Sequence, residues 1–366
     1  NQVDLTVVSP YVLSGPVPPR MFFGRDYEIK VIMRTVRDRS FAIVGGRKIG
    51  KTSILNKVHR LLQQTEGYDP FYLDCHHVTT YEDFFEALAV MSDTPIESAT
   101  PDTLRRVVVR LRGRGGELAR TLVFVLDEVA LLLRHDLQQG ALLFRVFRSL
   151  SQEGLCRFVF CGERTLDGAL RDPDSPLFNF CSIMRLSYLT PRDATRIIQE
   201  PMAAMGMLFE DPNALLEGII AISSCHPSIV QAICQMLVVR ANERGDRIIR
   251  LRDLERLRSS EEFRELFLEV TWGNATPLER LISVLMVPSP RFTAAEVRAA
   301  LAAQGCDTPA AEVDAALEGL CLFSVLQKER DRYTYAARSF PTIIRESRLA
   351  DGLIEGLRDV VASCAL

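Results

Sequence analysis

One octapeptide limits the folds open to this chain more than any other feature. Gly45-Gly46-Arg47-Lys48-Ile49-Gly50-Lys51-Thr52 satisfies G-x-x-x-x-G-K-[ST] at every fixed position. It follows the apolar run Phe41-Ala42-Ile43-Val44 and precedes a helical pattern from Ser53 to Val58. A buried strand, a glycine turn and a helix start point several backbone N–H groups inward, where phosphate oxygens can accept from them. Lys51 is expected to place its ammonium on the β- and γ-phosphates, and Thr52 to offer its hydroxyl to Mg²⁺. Gly45, Gly46, Arg47, Lys48, Ile49, Gly50 and Ser53 complete the expected phosphate-binding set.

A second segment supplies the complementary chemistry. Thr121-Leu122-Val123-Phe124-Val125-Leu126 is an apolar strand that ends in Asp127-Glu128. Asp127 at the strand's carboxyl end can hold the metal through water, so Thr52 and Asp127 form the expected metal set. Glu128 is placed to orient and polarise an attacking water. Together these Walker A and Walker B patterns imply binding of ATP or ADP with Mg²⁺, and an ATPase of uncertain turnover. A further strand, Arg157–Cys161, ends in Gly162-Glu163-Arg164, where Glu163 or Arg164 could sense the γ-phosphate, with Arg164 the more natural partner for negative charge. Arg145, Arg148 and Arg171 are open to two readings, as fingers reaching a neighbour's nucleotide or as solvated surface arginines.

Short all-apolar strands alternating with helices predict an α/β fold, a parallel sheet covered on both faces. After Thr190-Pro191 the pattern turns helical, with breaks at Asp211-Pro212 and His226-Pro227, and strands are expected to disappear. From Pro277 three helices (277–287, 293–304, 309–320) and two strand-like runs (322–328, 332–337) predict a winged helix. The expected organisation is a leader at 1–20, a nucleotide-binding core at 21–190 and a helical lid at 191–260. A linker at 261–275, a winged helix at 276–345 and a C-terminal amphipathic helix at 346–366 complete it.

Composition excludes little. The formal net charge of −3 exerts no pull toward nucleic acid or anionic membrane. The 9 cysteines form no CxxC and no paired ligand spacing, which favours a reducing, cytoplasmic setting over a disulfide scaffold. Cys75-His76-His77 is the one metal-like cluster; on an extended segment its side chains are expected to alternate between faces, against a shared metal. No apolar run has the length of a membrane span. The chain begins at Asn1 without a signal-peptide pattern and is expected to be a fragment of a longer protein or a trimmed chain.

Four features in order resemble the STAND branch of AAA-type ATPases, near the archaeal-ATPase and Orc/Cdc6-like families. They are Phe22-Phe23-Gly24-Arg25-Asp26-Tyr27-Glu28, the two Walker segments, and Cys225-His226-Pro227-Ser228-Ile229-Val230. Asp26 stands where the family has Glu, and Cys225 or Ser224 where it has glycine. The resemblance implies that Arg25 lies beside the nucleotide base and that Pro227 of the lid packs on the nucleotide. It also implies a switch: nucleotide state would control self-assembly or a linked effector, with a homo-oligomer or a protein effector as partner. A DNA-associated ATPase, initiator-like loader or transposition regulator, is the alternative, and a module that holds ADP with little hydrolysis a third.

Charge in the C-terminal segment bears on that choice. Basic and acidic residues balance over 276–345, and the third predicted helix carries Glu312, Asp314 and Glu318 with no Lys or Arg. Each acid would meet phosphate repulsion in a major groove, so packing or protein contact is favoured over DNA. Lys328, Arg330 and Arg332 on the wing could still touch a backbone. Arg105, Arg106, Arg110, Arg112 and Arg114 form a second basic cluster, either a solvated face or a nucleic-acid or subunit contact.

Overall fold

The apolar runs are strands of one parallel sheet: β1 (Ser40–Gly45), β2 (Tyr68–Asp74), β3 (Thr121–Asp127), β4 (Cys156–Gly162) and β5 (Cys181–Leu186). The computed structural model describes residues 4–96, 98–114, 120–346 and 350–364. The strands lie in the order β2-β3-β4-β1-β5, and every pairing is parallel. Parallel neighbours cannot be joined by a tight turn, so helices carry the crossovers and bury both sheet faces. β1 pairs with β4 and β5 rather than with β2, so the strand order reverses beside it; ligands of open α/β sheets bind in the crevice outside the carboxyl ends at such a point. This is the fold of P-loop nucleoside triphosphatases.

Aromatic side chains hold the sheet's core. Phe71, Phe124 and Phe158 are in register across β2, β3 and β4. Their rings stack at 5.4 and 5.6 Å between centroids. Phe147, from the helix Leu142–Gln152, approaches Phe158 to 4.7 Å. Phe124, Phe147 and Phe158 are buried, and each contributes about 3 kcal/mol by area, while Phe71 is half-buried.

The helix Leu142–Gln152 starts at Ala141, which has no capping side chain. Asp136, fully buried, caps it from a distance: its carboxylate accepts from the amides of Leu143 (2.7 Å) and Phe144 (3.0 Å) and from the Tyr81 hydroxyl. A carboxylate at a helix N-terminus satisfies orphan donors and complements the dipole.

This sheet unit comprises Arg25–Gly45 and Gly50–Leu186; a second unit comprises Asn1–Gly24, Gly46–Ile49 and Ser187–Leu366. In the second unit, Pro191, Pro212, Pro227 and Pro277 each open a helix, where a missing N–H costs nothing. Strands do not vanish there as expected: Leu208–Phe209 pairs in parallel with Ile248–Ile249. Two-residue strands are too short to show a periodicity. The expected linker 261–275 is mostly the helix Glu261–Trp272, capped by the Ser260 side chain and buried through Phe263, Phe267 and Trp272.

The leader is also structured. Asp4 caps a short helix, Leu5–Val8, and Leu5 and Tyr11 are buried, with the Tyr11 hydroxyl donating to the Ile197 and Ile198 carbonyls. Pro16 and Pro18 lie in irregular backbone after these anchors, and Pro19 opens a short 3-10 turn, Pro19–Met21. Residues 1–3 of that leader lie outside the described residues.

Toward the C-terminus the helices Pro277–Leu285, Ala294–Ala303 and Ala310–Leu322 precede an antiparallel pair, Leu326–Glu329 with Arg332–Tyr335. The expected strand at 322–328 starts late because Ala310–Leu322 stays helical to its end. Phe292 bridges to Tyr333 beside the pair. Helices Phe340–Glu346 and Ala350–Cys364 follow; residues 347–349 and 365–366 of the expected C-terminal helix are outside the described set.

Candidate functional site

Within the sheet unit, β1 ends at Gly45 and a 14-residue helix begins at Lys51. Gly50 caps that helix in the left-handed region, φ 98°, with open space where a Cβ would stand; backbone conformation, not crowding, calls for glycine there. The N-terminus of Lys51–Gln64 carries the positive end of the helix dipole, a setting suited to phosphate. Lys51 is 5% exposed; its Nζ lies 3.1 Å from the Gly45 carbonyl and 2.9 Å from Glu163 Oε1. Thr52 is half-buried and Ser53 buried on the first turn.

The metal-binding carboxylate expected from the sequence is fixed from two sides. Asp127 is buried at the end of β3; its Oδ2 accepts from the Tyr72 hydroxyl at 3.1 Å and its Oδ1 from the Glu128 amide at 3.0 Å. Glu128 has φ 49°, an unfavourable conformation for a residue with a Cβ and one typical of functional positions. Burial holds the Glu128 carboxyl above its ordinary range; Lys51 opposes this, Glu163 and Asp127 add to it, and His76 opposes it. The Tyr72 phenol is pushed upward by burial and then by Asp127. Thr52 and Asp127 are hard oxygen donors of the kind Mg²⁺ takes, and Lys51 is a buried cation suited to phosphate, so the residues present fit a magnesium nucleotide.

β4 delivers Glu163, half-buried, and Arg164, exposed, at the start of the helix Arg164–Arg171. Arg25 is in the left-handed region, φ 64°, with its guanidinium 3.2 Å from Glu28. Arg148 donates to the carbonyls of Pro176 and Phe178, both at 3.1 Å, and Arg171 pairs with Asp167; both are braces of their own unit. Arg145 is exposed on Leu142–Gln152. In the basic cluster, Arg105 grips Glu153 and Ser149, Arg106 donates to Thr103, and Arg112 donates to the Gly154 carbonyl. Arg110 is exposed, and the Arg114 side chain is outside the described residues.

The alternation expected for Cys75-His76-His77 is not what the structure has. β2 stops at Asp74, Cys75 is buried, and His76 and His77 are both exposed on a turn with rings 4.7 Å apart.

In the second unit, Lys48 has φ 57° and its Nζ lies 3.2 Å from Glu269. A Cβ on Gly46 would stand 3.2 Å from the Phe323 backbone, and Arg47 packs against Gly273. Gly24, φ 72°, has room for no side chain, since a Cβ would meet the Asp193 carboxylate at 2.7 Å. Arg196 lies over the Phe23 ring. Pro227 opens the helix Pro227–Glu243 after the N-cap His226, which follows Ser224 and Cys225 at φ 51° and 64°. The chain thus keeps a glycine-like backbone at both residues, Ser224 and Cys225, either of which stands where the one glycine was expected.

Sequence reasoning missed Tyr72 as a partner of Asp127. Tyr72 reaches Asp127 only because β2 and β3 pair with Asp74 opposite Asp127, and no spacing in the sequence reports that register.

Residues 34–170 match the family model described as an AAA domain. No curated protein matches the chain. Among solved structures, the Walker-type ATPase PABY2304 of Pyrococcus abyssi is similar with a TM-score of 0.64 at 16% identity, over 91% of this chain and 99% of that one. The ORC2 protein of Aeropyrum pernix, in ADPNP–ADP complexes, gives 0.62 at 15% identity over 96% and 98%. The ORC1 protein of Aeropyrum pernix in complex with DNA gives 0.50 at 15% identity over 93% and 96%. At these identities the likeness is one of fold.

Proposed function

We propose that the chain binds ATP and ADP with Mg²⁺ and hydrolyses ATP slowly, as a STAND-type switch whose nucleotide state governs self-assembly or a linked effector. One observation supports this above the rest: Lys51, Asp127, Glu128 and Glu163 are electrostatically coupled at the carboxyl ends of β1, β3 and β4. Amides from Gly45 to Ser53 and the Lys51 ammonium would hold the phosphates. Thr52 and Asp127 would hold Mg²⁺, which when bound neutralises charge on the phosphate oxygens. Glu128 would orient a water and take its proton; Arg164 would offer charge to the γ-phosphate, Arg25 would border the base and Pro227 would pack on the nucleotide.

Titration with fluorescent ADP and measurement of phosphate release test the reading. Lys51→Ala should lose binding by about 100-fold, the scale of a charge-assisted phosphate contact. Retention of full affinity would remove the basis of the proposal.

The DNA-associated alternative is favoured by the fold likeness to ORC1, solved with DNA. In the winged-helix reading of residues 276–345, however, Glu312, Asp314 and Glu318 are all exposed on the helix that would enter the groove. Arg291 on that segment is paired with Glu329.

A further inference from the structure

We propose that Glu163 is a positioning residue that competes with phosphate for the Lys51 ammonium and so limits nucleotide affinity. The inference rests on the nucleotide-binding reading above and adds to it an internal rival for the ligand.

Register explains why the rival is there. Val44 of β1 lies opposite Gly162 of β4, so Glu163, the residue after Gly162, stands at the level of Gly45, whose carbonyl is 3.1 Å from the Lys51 Nζ. Gly162 is itself tightly packed, with a would-be Cβ 3.0 Å from Leu166, which draws the helix Arg164–Arg171 close and fixes the backbone between. Glu163 occupies the N-cap of that helix yet makes no side-chain cap bond. Its carboxylate is turned instead to Lys51, at 2.9 Å, with the two side chains only 14% and 5% exposed.

An ion pair so shielded from water is stronger than a surface pair. A phosphate that takes Lys51 must break or share it. Asp127 and Glu128 are the neighbouring carboxylates, so a bare polyphosphate also meets concentrated negative charge. On the nucleotide-binding reading the nucleoside part of a ligand would touch none of these charges, so the competition is expected to be confined to phosphate.

The test is equilibrium titration of the full chain with N-methylanthraniloyl-ADP in EDTA, and with adenosine by competition. Glu163→Gln keeps an oxygen for Lys51 but removes the charge. It should tighten ADP binding by about tenfold and leave adenosine unchanged. Circular dichroism checks folding; should Glu163→Gln fail to fold, Glu163→Asp, which draws the charge back by one methylene, should tighten ADP binding by a smaller factor. ADP affinity equal to or weaker than wild type in the folded variant, or an equal gain for adenosine, overturns the proposal. A wild-type chain that binds no ADP at all would instead sink the nucleotide reading on which it rests.

Discussion

Glu128 and Lys51 sit in the same small space yet ask for different experiments. On the nucleotide-binding reading Lys51 is a ground-state contact, and its loss is expected as a loss of affinity. On the same reading Glu128, held in a left-handed backbone conformation beside Asp127, would contribute to a step rather than to binding. Glu128→Gln should therefore keep ADP affinity within about twofold while lowering phosphate release by about 100-fold, within the range of general-base removal. Equal loss of affinity and turnover would place Glu128 among the binding residues. Tyr72 acts one step further out. Tyr72→Phe removes a donor from Asp127 Oδ2 and should raise the Mg²⁺ concentration needed for half-maximal turnover several-fold, with ADP affinity in EDTA unchanged. Of these groups, Lys51, Asp127 and Glu128 were legible in the sequence because each is fixed by a local pattern of strand, turn and helix start. Tyr72 and the Glu163–Lys51 pair depend on which strands are neighbours, and that order is written in no local spacing.

At the scale of elements, polar groups at helix starts do work that the apolar periodicity conceals. Asp136 is the buried case. Asp136→Ala leaves the Leu143 and Phe144 amides and the Tyr81 hydroxyl without their acceptor and should cost about 3 kcal/mol in chemical denaturation. Tyr81→Phe, which removes one donor and leaves both amides served, should cost about 1 kcal/mol. Asp83 is the exposed case: with Thr80 it completes a capping box on the helix Tyr81–Ser92. Bonds from the Thr79 side chain, then from the Thr79 amide, hold its carboxyl below the ordinary 3.8, at about 2. A depressed folded-state value means the stabilisation is present above the ordinary value and lost as pH falls through the folded one. Asp83→Asn should thus melt below wild type at pH 7, and the difference should close between about pH 4 and pH 2; a pH-independent difference would show that the charge is irrelevant to the cap. The distant cap from Asp136 could not be read from the sequence, because it joins a residue to a helix it does not belong to. The short strands Leu208–Phe209 and Ile248–Ile249 were missed for a related reason: two residues carry no period.

For the whole molecule, the competing readings differ in what they predict on mixing with ligand. A switch must bind at least one partner differently in its two nucleotide states, since a ligand with equal affinity for both shifts nothing. Sedimentation with ADP and with a non-hydrolysable ATP analogue should then give two masses, and Lys51→Ala should give one under both conditions. A DNA-associated ATPase must instead neutralise phosphates with its own cations, which makes binding fall steeply with salt. The exposed acids at Glu312, Asp314 and Glu318 oppose that, and Lys328 is engaged over the Tyr333 ring at 5.3 Å. Arg330 and Arg332, at the turn of the antiparallel pair, remain as candidates for phosphate on that reading. The expectation is that duplex DNA binds with a shallow salt dependence that Arg330→Gln with Arg332→Gln leaves unchanged. If the double substitution lowers the slope of log affinity against log salt by about 2, two phosphate contacts have been lost and the DNA-associated reading replaces the switch.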